Sequence, residues 1–487
     1  MLKQINRYKQ YILWKNSDRK DLLHPYIFWL SVLTMYLVVN SPKNRILLVV
    51  SHLVESWPNP DRYLPPLVMK KIAIDNWSDL IVEVAIIPIK SLLFYIAIGL
   101  LFLPIFRAIK IEKKSLLNKG TINRLIGSLL IFLTLSILVF PYRYPLGSGG
   151  MGIHYAIHST EPFSQNAGWY YRRLLMMAIA HFLQMDGPIL YYLFSLFCTY
   201  ILIFMSLSFV ESKIFSLSNF DRSSFVRPKS FMVNSWLRFI CYLSLATSSF
   251  ILFNFQTPGY TEQFFFILLL IAASIPMNRQ ERLSIFALSL ATHEVSIFVF
   301  IPIIWLCFPR REIANCLAVI GLYFVIWLGG NGFNLVKAVS LQSEVEGESG
   351  LYYWLNNPVL GLGGLFLAYK LVLPIVLYLL WKLWQDGERK LLMAILALIL
   401  VPAVTIIPSV DTSRMMGMGF FGVLVCFSIL INEWYKLKIN HNIVLAIAGV
   451  NIFVPSYNVF LYIGFQCYSG LYYLLRIIPE RYTDFVR

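Results

Sequence analysis

From Pro25 to Leu461 the chain alternates between apolar stretches and short polar connectors. An α-helix rises 1.5 Å per residue, so about 20 consecutive apolar residues cover the hydrocarbon core of a bilayer. Stretches approaching that length recur at Pro25–Asn40, up to Ile105, Leu125–Phe140, Pro188–Val210, Phe239–Phe253, Phe264–Ile275, Ala314–Leu328, Leu360–Leu380, Leu391–Ile407, Met415–Ile431 and Ile443–Leu461. The pattern predicts an all-α, polytopic transmembrane helical bundle of roughly 11–13 spans. Residues 1–487 then form a single integral membrane domain with no appended soluble domain and no internal repeat. Ile46–Val54 is too short to cross and reads as an interfacial helix.

The distribution of charge orients these spans. Hydrophobic residues make up 58% of the chain, above the share in soluble domains, and the net charge is +16. Lys and Arg gather in connectors, which is where the positive-inside rule places cytoplasmic loops beside anionic lipid. The polar segment 1–24, with Lys3, Arg7, Lys9, Lys15, Arg19 and Lys20, is a cytoplasmic N-terminus. Arg107–Arg124, Glu211–Leu237 and the Lys436–Lys438 region are also cytoplasmic, so 142–186 becomes a large outward-facing loop. No basic stripe suits nucleic acid. The six cysteines lie in or beside apolar segments, as buried thiols do, rather than in a disulfide or metal framework. The expected location is a bacterial inner membrane or its equivalent.

One segment resists a simple crossing. If 283–308 were one span, Arg310 and Arg311 would lie outside and the acidic 331–350 loop inside, against the rule. A re-entrant helix pair that breaks at Thr292-His293-Glu294 and returns puts every later loop on its expected side. With about 26 residues where two full crossings need roughly 40, the pair is two half-crossings sheltered by neighbouring helices.

The break carries the chain's most telling chemistry. A carboxylate beside an imidazole at membrane depth is costly unless paired or wet, so His293 and Glu294 are candidate functional residues. The bland alternative is that they satisfy each other or a neighbouring hydroxyl. The same face gathers His154, His158, Glu161, Arg172, Arg173, Tyr260, Glu262, Asp411 and Arg414. The two adjacent arginines offer guanidinium forks suited to phosphate, or else anchor a helix at the interface. Arg414 and Asp411 either serve a substrate or pair with each other at a helix start. His154 and His158, four apart, would hold a divalent metal only with a third ligand, Glu161 being the nearest; the same pattern occurs in ordinary loops. Gly147–Gly152 fits G-x-G-x-x-G but neither follows a strand nor opens an obvious helix, so it reads as a flexible turn. Gly417–Gly422 fits the same spacing inside a span, where small residues let helices approach closely.

From Phe140 to Ile431 the layout resembles the GT-C superfamily of membrane glycosyltransferases: a large outward loop, 142–186, runs through Trp169-Tyr170-Tyr171-Arg172-Arg173-Leu174-Leu175 into further helices, and short charged outer loops follow. The resemblance implies transfer of a sugar from a polyprenyl-phosphate carrier to a lipid, glycan or protein acceptor on the outward face. It also implies an acidic residue in the early loop as general base and basic residues that hold the carrier phosphate. This sequence departs from the family pattern in lacking an early aspartate. Between Tyr142 and Met185 its only acid is Glu161. The base is then Glu161, or Glu294, or an aspartate of 41–78, Asp61 or Asp75, unless no transfer chemistry survives. Arg172, Arg173 and Arg414 would stabilise the departing phosphate, and His293 would orient the carboxylate. The other readings are a transporter or flippase for a lipid-linked or anionic substrate, and a non-catalytic scaffold of a membrane complex.

Overall fold

The computed structural model describes residues 25–39, 87–116, 119–138, 151–163, 173–211, 239–256 without 241, 258–274, 279–307, 310–330, 355–406 without 357, 412–433, 440–454, 457–459 and 463–465. The fold is helical apart from one antiparallel hairpin of two short strands, β1 (Tyr457–Val459) and β2 (Ile463–Phe465). The helical fold is the one expected from the sequence, but the expected crossing over Ile443–Leu461 is corrected, because the helix there stops at Phe453 and the short hairpin follows. The segments 1–24, 41–78, 142–150 and 164–172, with Asp61, Asp75 and Arg172, lie outside the described residues, as does Asp411.

The first half comprises α1 (Pro25–Val39), α2 (Ile87–Leu116), α3 (Lys119–Leu138), α4 (Met151–Ser159), α5 (Leu174–Phe182), α6 (Gly187–Glu211), α7 (Ser249–Gln256), α8 (Glu262–Ser274) and α9 (Arg279–Thr292). There follow α10 (Ser296–Cys307), α11 (Arg310–Gly330), α12 (Pro358–Tyr369), α13 (Val372–Gln385), α14 (Arg389–Ala403), α15 (Thr412–Gly417), α16 (Phe420–Glu433) and α17 (His441–Phe453). Helix α6 is central, packing against α3, α4, α8 and α16; α9 lies against α2, α5, α8 and α11. A long-range bond ties the first helix to this core, Tyr36 donating its hydroxyl proton to the Ala287 carbonyl at 3.2 Å.

Helix α2 shows how the apolar pattern is used. Phe94, Ala97, Leu101 and Ile105 recur at helical spacing and are buried, while Ile89, Leu92, Ile96 and Phe106 on the remaining surface are apolar yet exposed. Exposed apolar side chains also line α3 (Ile122, Ile126, Leu130, Leu133) and the start of α6 (Ile189, Leu193, Phe197). Among the described residues two helical stretches, Ile89–Phe106 and Gly187–Val210, are long and apolar enough to cross a membrane, and the other apolar helices are shorter.

Several predicted spans are interrupted. Leu360–Leu380 is two helices, α12 and α13, broken at Lys370, whose φ is +49°. The buried Lys370 ammonium donates to the carbonyls of Asn451 and Val454 at 3.2 and 3.0 Å, at the C-terminal end of α17. A cation there complements the partial negative charge of the helix end, and this long-range partner explains a break that local hydropathy does not mark. Phe239–Phe253 is likewise broken at Thr247-Ser248 ahead of α7, and Met415–Ile431 at Met418-Gly419.

Candidate functional site

The break at Thr292-His293-Glu294 is real: α9 stops at Thr292 and α10 begins at Ser296. Phe286 and Phe300 sit seven residues either side of His293, and a straight helix would hold them about 21 Å apart. Their ring centroids are 4.7 Å apart, so the chain turns back on itself and the two helices form a hairpin. The His293 N–H still donates to Ser289 O at 3.0 Å, closing α9, and Ser296 N–H donates to His293 O at 3.0 Å. The ring of His293 completes the turn by accepting the Val295 N–H at Nδ1, 3.1 Å away. In the neutral imidazole this leaves the ring proton on Nε2.

Arg173, just ahead of α5, reaches the hairpin tip. Its Nη2 and Nε donate to Glu294 Oε1 and Oε2 at 2.7 and 3.1 Å, a two-point fork, and Nη1 donates to the Tyr155 hydroxyl oxygen at 2.8 Å. The guanidinium side chain is only 4% exposed, whereas Glu294 is 28% exposed, so the carboxylate is the member of this pair that an outside molecule can reach.

A second charged group lies behind the first. Glu262 opens α8 and is fully buried, with His293 Nε2 3.5 Å and Arg414 Nε 3.6 Å from its Oε1. Arg414, on α15, also stacks its guanidinium over the Tyr260 ring at 5.0 Å, and that ring lies 6.3 Å from Tyr155. His293 thus sits between two carboxylates, since its Nδ1 is 3.7 Å from Glu294 Oε2. Two arginines and two glutamates in one buried cluster balance formally, which is what allows so many ionisable groups to share a low-dielectric interior.

The cluster depends on a close backbone approach. Gly152, in the first turn of α4, lies directly against Pro258 and Gly259, and Gly259 has φ +108°. A side-chain carbon on Gly259 would come 2.7 Å from Gly152 O. Helix α6 grips the same turn, Ser195 Oγ accepting the Gly259 N–H at 2.6 Å and Tyr191 donating to Gly259 O at 3.3 Å, while the Gln263 amide also donates to Ser195 Oγ. This contact brings Tyr155 of α4 beside Tyr260 and holds Glu262 in place. Gly152→Ala is therefore expected to push α4 off the 258–260 turn, lowering stability by about 1–3 kcal/mol as overpacked sites do. Gly99 and Gly127, which have open space where a side chain would go, serve as controls; thermal melts of Gly99→Ala and Gly127→Ala are expected to match or exceed the parent.

Six of the residues singled out from sequence come together here: Arg173, Tyr260, Glu262, His293, Glu294 and Arg414. Glu161 does not join them. It lies exposed in the turn after α4. His154 is exposed and His158 half-buried on the same helix, and among the described residues no group of three His, Cys, Asp or Glu side chains is placed to hold a metal ion. Tyr155 was missed by sequence reasoning, although it stands between those two histidines. Gly152 was read only as part of a flexible turn; its role becomes visible once α4 meets the 258–260 turn. The second glycine motif does serve close packing: a side-chain carbon on Gly422 would lie 3.1 Å from the Leu398 backbone of α14.

No protein-family model, curated protein or solved structure matches the chain.

Proposed function

We propose that the chain is a GT-C-like membrane glycosyltransferase, moving a sugar from a polyprenyl-phosphate carrier to a lipid, glycan or protein acceptor on the outward membrane face. The observation that carries this reading is the Arg173–Glu294 pair: a partly exposed carboxylate held by a buried guanidinium at the mouth of a polar cluster. In the proposed reaction the acceptor hydroxyl oxygen forms a bond to the anomeric carbon while the bond from that carbon to the phosphate oxygen breaks. The bonding pair leaves with the phosphate, and the hydroxyl proton goes to Glu294. Arg173 is the hinge of the scheme. While it forks onto Glu294 the carboxylate lone pairs are engaged; turning that fork to the carrier phosphate frees the base and stabilises the leaving group in one movement.

The multi-pass arrangement belongs to the same proposal. Apolar side chains left uncovered on α2, α3 and α6 are what a lipid-facing surface requires, and the connectors between helices carry the lysines and arginines expected on the cytoplasmic side. In that frame the α9–α10 hairpin is a re-entrant pair whose tip displays Glu294 toward the outward face, with the N-terminus in the cytoplasm. The test uses full-length protein in lipid vesicles with a radiolabelled polyprenyl-phosphate hexose and a panel of lipid and glycan acceptors; label appearing on an acceptor is the expected result.

A transporter reading has its own supporting observation. Glu262 is fully buried between His293 and Arg414, an ionisable group at depth of the kind that lines substrate and ion paths in transporters. Proton-driven uptake of a lipid phosphate into the same vesicles, without sugar transfer, would decide for it.

A further inference from the structure

The Glu294–His293–Glu262 row has more parts than one base requires. His293 is fully buried and presents one ring nitrogen to each carboxylate, Nδ1 toward Glu294 Oε2 at 3.7 Å and Nε2 toward Glu262 Oε1 at 3.5 Å. The polarity of the ring is set, because the Val295 N–H donates to the Nδ1 lone pair, 3.7 Å from Glu294 Oε2, and this leaves the N–H on Nε2, the nitrogen nearer Glu262. Both carboxylate oxygens of Glu262 and Nε2 of His293 are buried without a hydrogen bond among the described residues, as are Thr261 Oγ1 and Ser296 Oγ nearby in the chain. Glu262 is held in the cluster by the charges of His293 and Arg414 at 3.5 and 3.6 Å rather than by close hydrogen bonds. Separations of 3.5–3.7 Å lie just beyond hydrogen-bond length, so a side-chain movement of less than about 1 Å brings both nitrogens into hydrogen-bond range.

We infer that His293 is a proton conduit and Glu262 the store: the proton that Glu294 takes from the acceptor hydroxyl passes to His293 Nδ1 while the Nε2 proton passes to Glu262. This inference rests on the transfer reading for the source of the proton, but the path itself can be tested without a sugar. The balance is simple. One proton enters the row at Glu294 and one appears on Glu262, no electrons are exchanged, and Val295 N–H releases Nδ1 as it is protonated. Glu294 regains its negative charge and with it the two-point pair to Arg173. At the far end, protonation removes the carboxylate charge lying 3.6 Å from Arg414, so the guanidinium field is strengthened when the phosphate has just become a free anion. Among the described residues, the charged and titratable groups facing this row include Arg173 and Tyr155 at the Glu294 end and Arg414, stacked on Tyr260, at the Glu262 end. When product leaves, the proton returns by the same path to the mouth at Glu294.

Infrared spectroscopy on the full-length protein in lipid nanodiscs reads the path directly. In strongly acidic buffer a buried carboxylic C=O band is expected that Glu262→Gln removes, and on transfer to deuterated buffer of the same acidity it shifts as the acid proton exchanges. His293→Asn keeps an oxygen that can accept the Val295 N–H, as Asn does in turns, but has no second nitrogen to pass the proton on. The exchange is expected to be about 100-fold slower in that variant, the scale of positioned proton transfer. His293→Gln serves the same purpose if His293→Asn does not fold. Exchange at the parental rate in the folded variant, or no band that Glu262→Gln removes, overturns the conduit. Sugar transfer measured on the same preparations separates the two ideas: His293-dependent exchange without transfer leaves the conduit standing and removes the transferase, whereas transfer with unaltered exchange removes the conduit alone.

Discussion

Glu294→Gln is expected to lower sugar transfer by about 10²–10⁴-fold, the range that a positioned general base contributes, while Glu161→Gln leaves it unchanged. The contrast follows from placement. Glu294 is gripped at two points by a buried arginine and faces a fully buried imidazole, whereas Glu161 stands exposed in a turn. Glutamine keeps the size of the side chain and one acceptor oxygen for Arg173 but cannot take a proton. Initial rates of label transfer in vesicles, compared for the two variants at equal protein content, check the prediction. Equal losses in both, or none in either, would remove Glu294 as the base.

Arg173→Met is expected to be the most destabilising single change in the site, by about 3–5 kcal/mol, because it strips the partner from a carboxylate that sits in a largely dry cluster. The methionine fills much of the volume but leaves Glu294 and the Tyr155 hydroxyl without the three hydrogen bonds that Arg173 donates. Arg173→Lys is expected to restore only part of that loss. An ammonium has no planar fork and cannot meet both oxygens of Glu294 and the tyrosine in the same geometry. Thermal unfolding in detergent, followed by intrinsic fluorescence, would rank parent, Lys and Met in that order. Glu294→Gln combined with Arg173→Met is expected to be less destabilised than the two single losses added together, since neither partner is left as an uncompensated charge.

The pair Arg173 and Glu294 also shows what could be read ahead of the coordinates. His293 and Glu294 stand out because ionisable residues are rare between apolar runs such as 283–290 and 297–308, and the placement of Arg310, Arg311 and the acidic 331–350 loop predicted a break there, which the Phe286–Phe300 contact bears out. Arg173, Tyr260, Glu262 and Arg414 were legible as candidates because the charge-based topology put them on the same face as His293 and Glu294. Their partners were not. Arg414 lies beside Glu262 and Tyr260, about 150 residues earlier, which no local pattern marks, while Asp411, three residues away, lies outside the described residues. Neither the exposure of Glu161 nor the entry of Tyr155 into the site was foreseen, because both are settled by which face of one short helix, α4, meets the rest of the molecule. The break at Lys370 escaped notice for a related reason: a mostly apolar run contains no local signal that a distant helix end will capture its lysine, whereas the glycines 417–422 were legible as a close-packing motif though not as a break.

By itself, then, the amino-acid order determined that this chain is predominantly helical, where most of its apolar segments begin, and which few ionisable side chains are too costly at their positions to be incidental. These follow from hydropathy, period and charge, which act over one or two turns. Only the tertiary structure decided that an arginine before α5 forks onto a glutamate 121 residues later, that His293 faces one carboxylate with each nitrogen, and that two glycines must touch for the site to close. Those outcomes depend on the packing of helices distant in sequence, where a single backbone approach or a long-range ion pair outweighs any local preference.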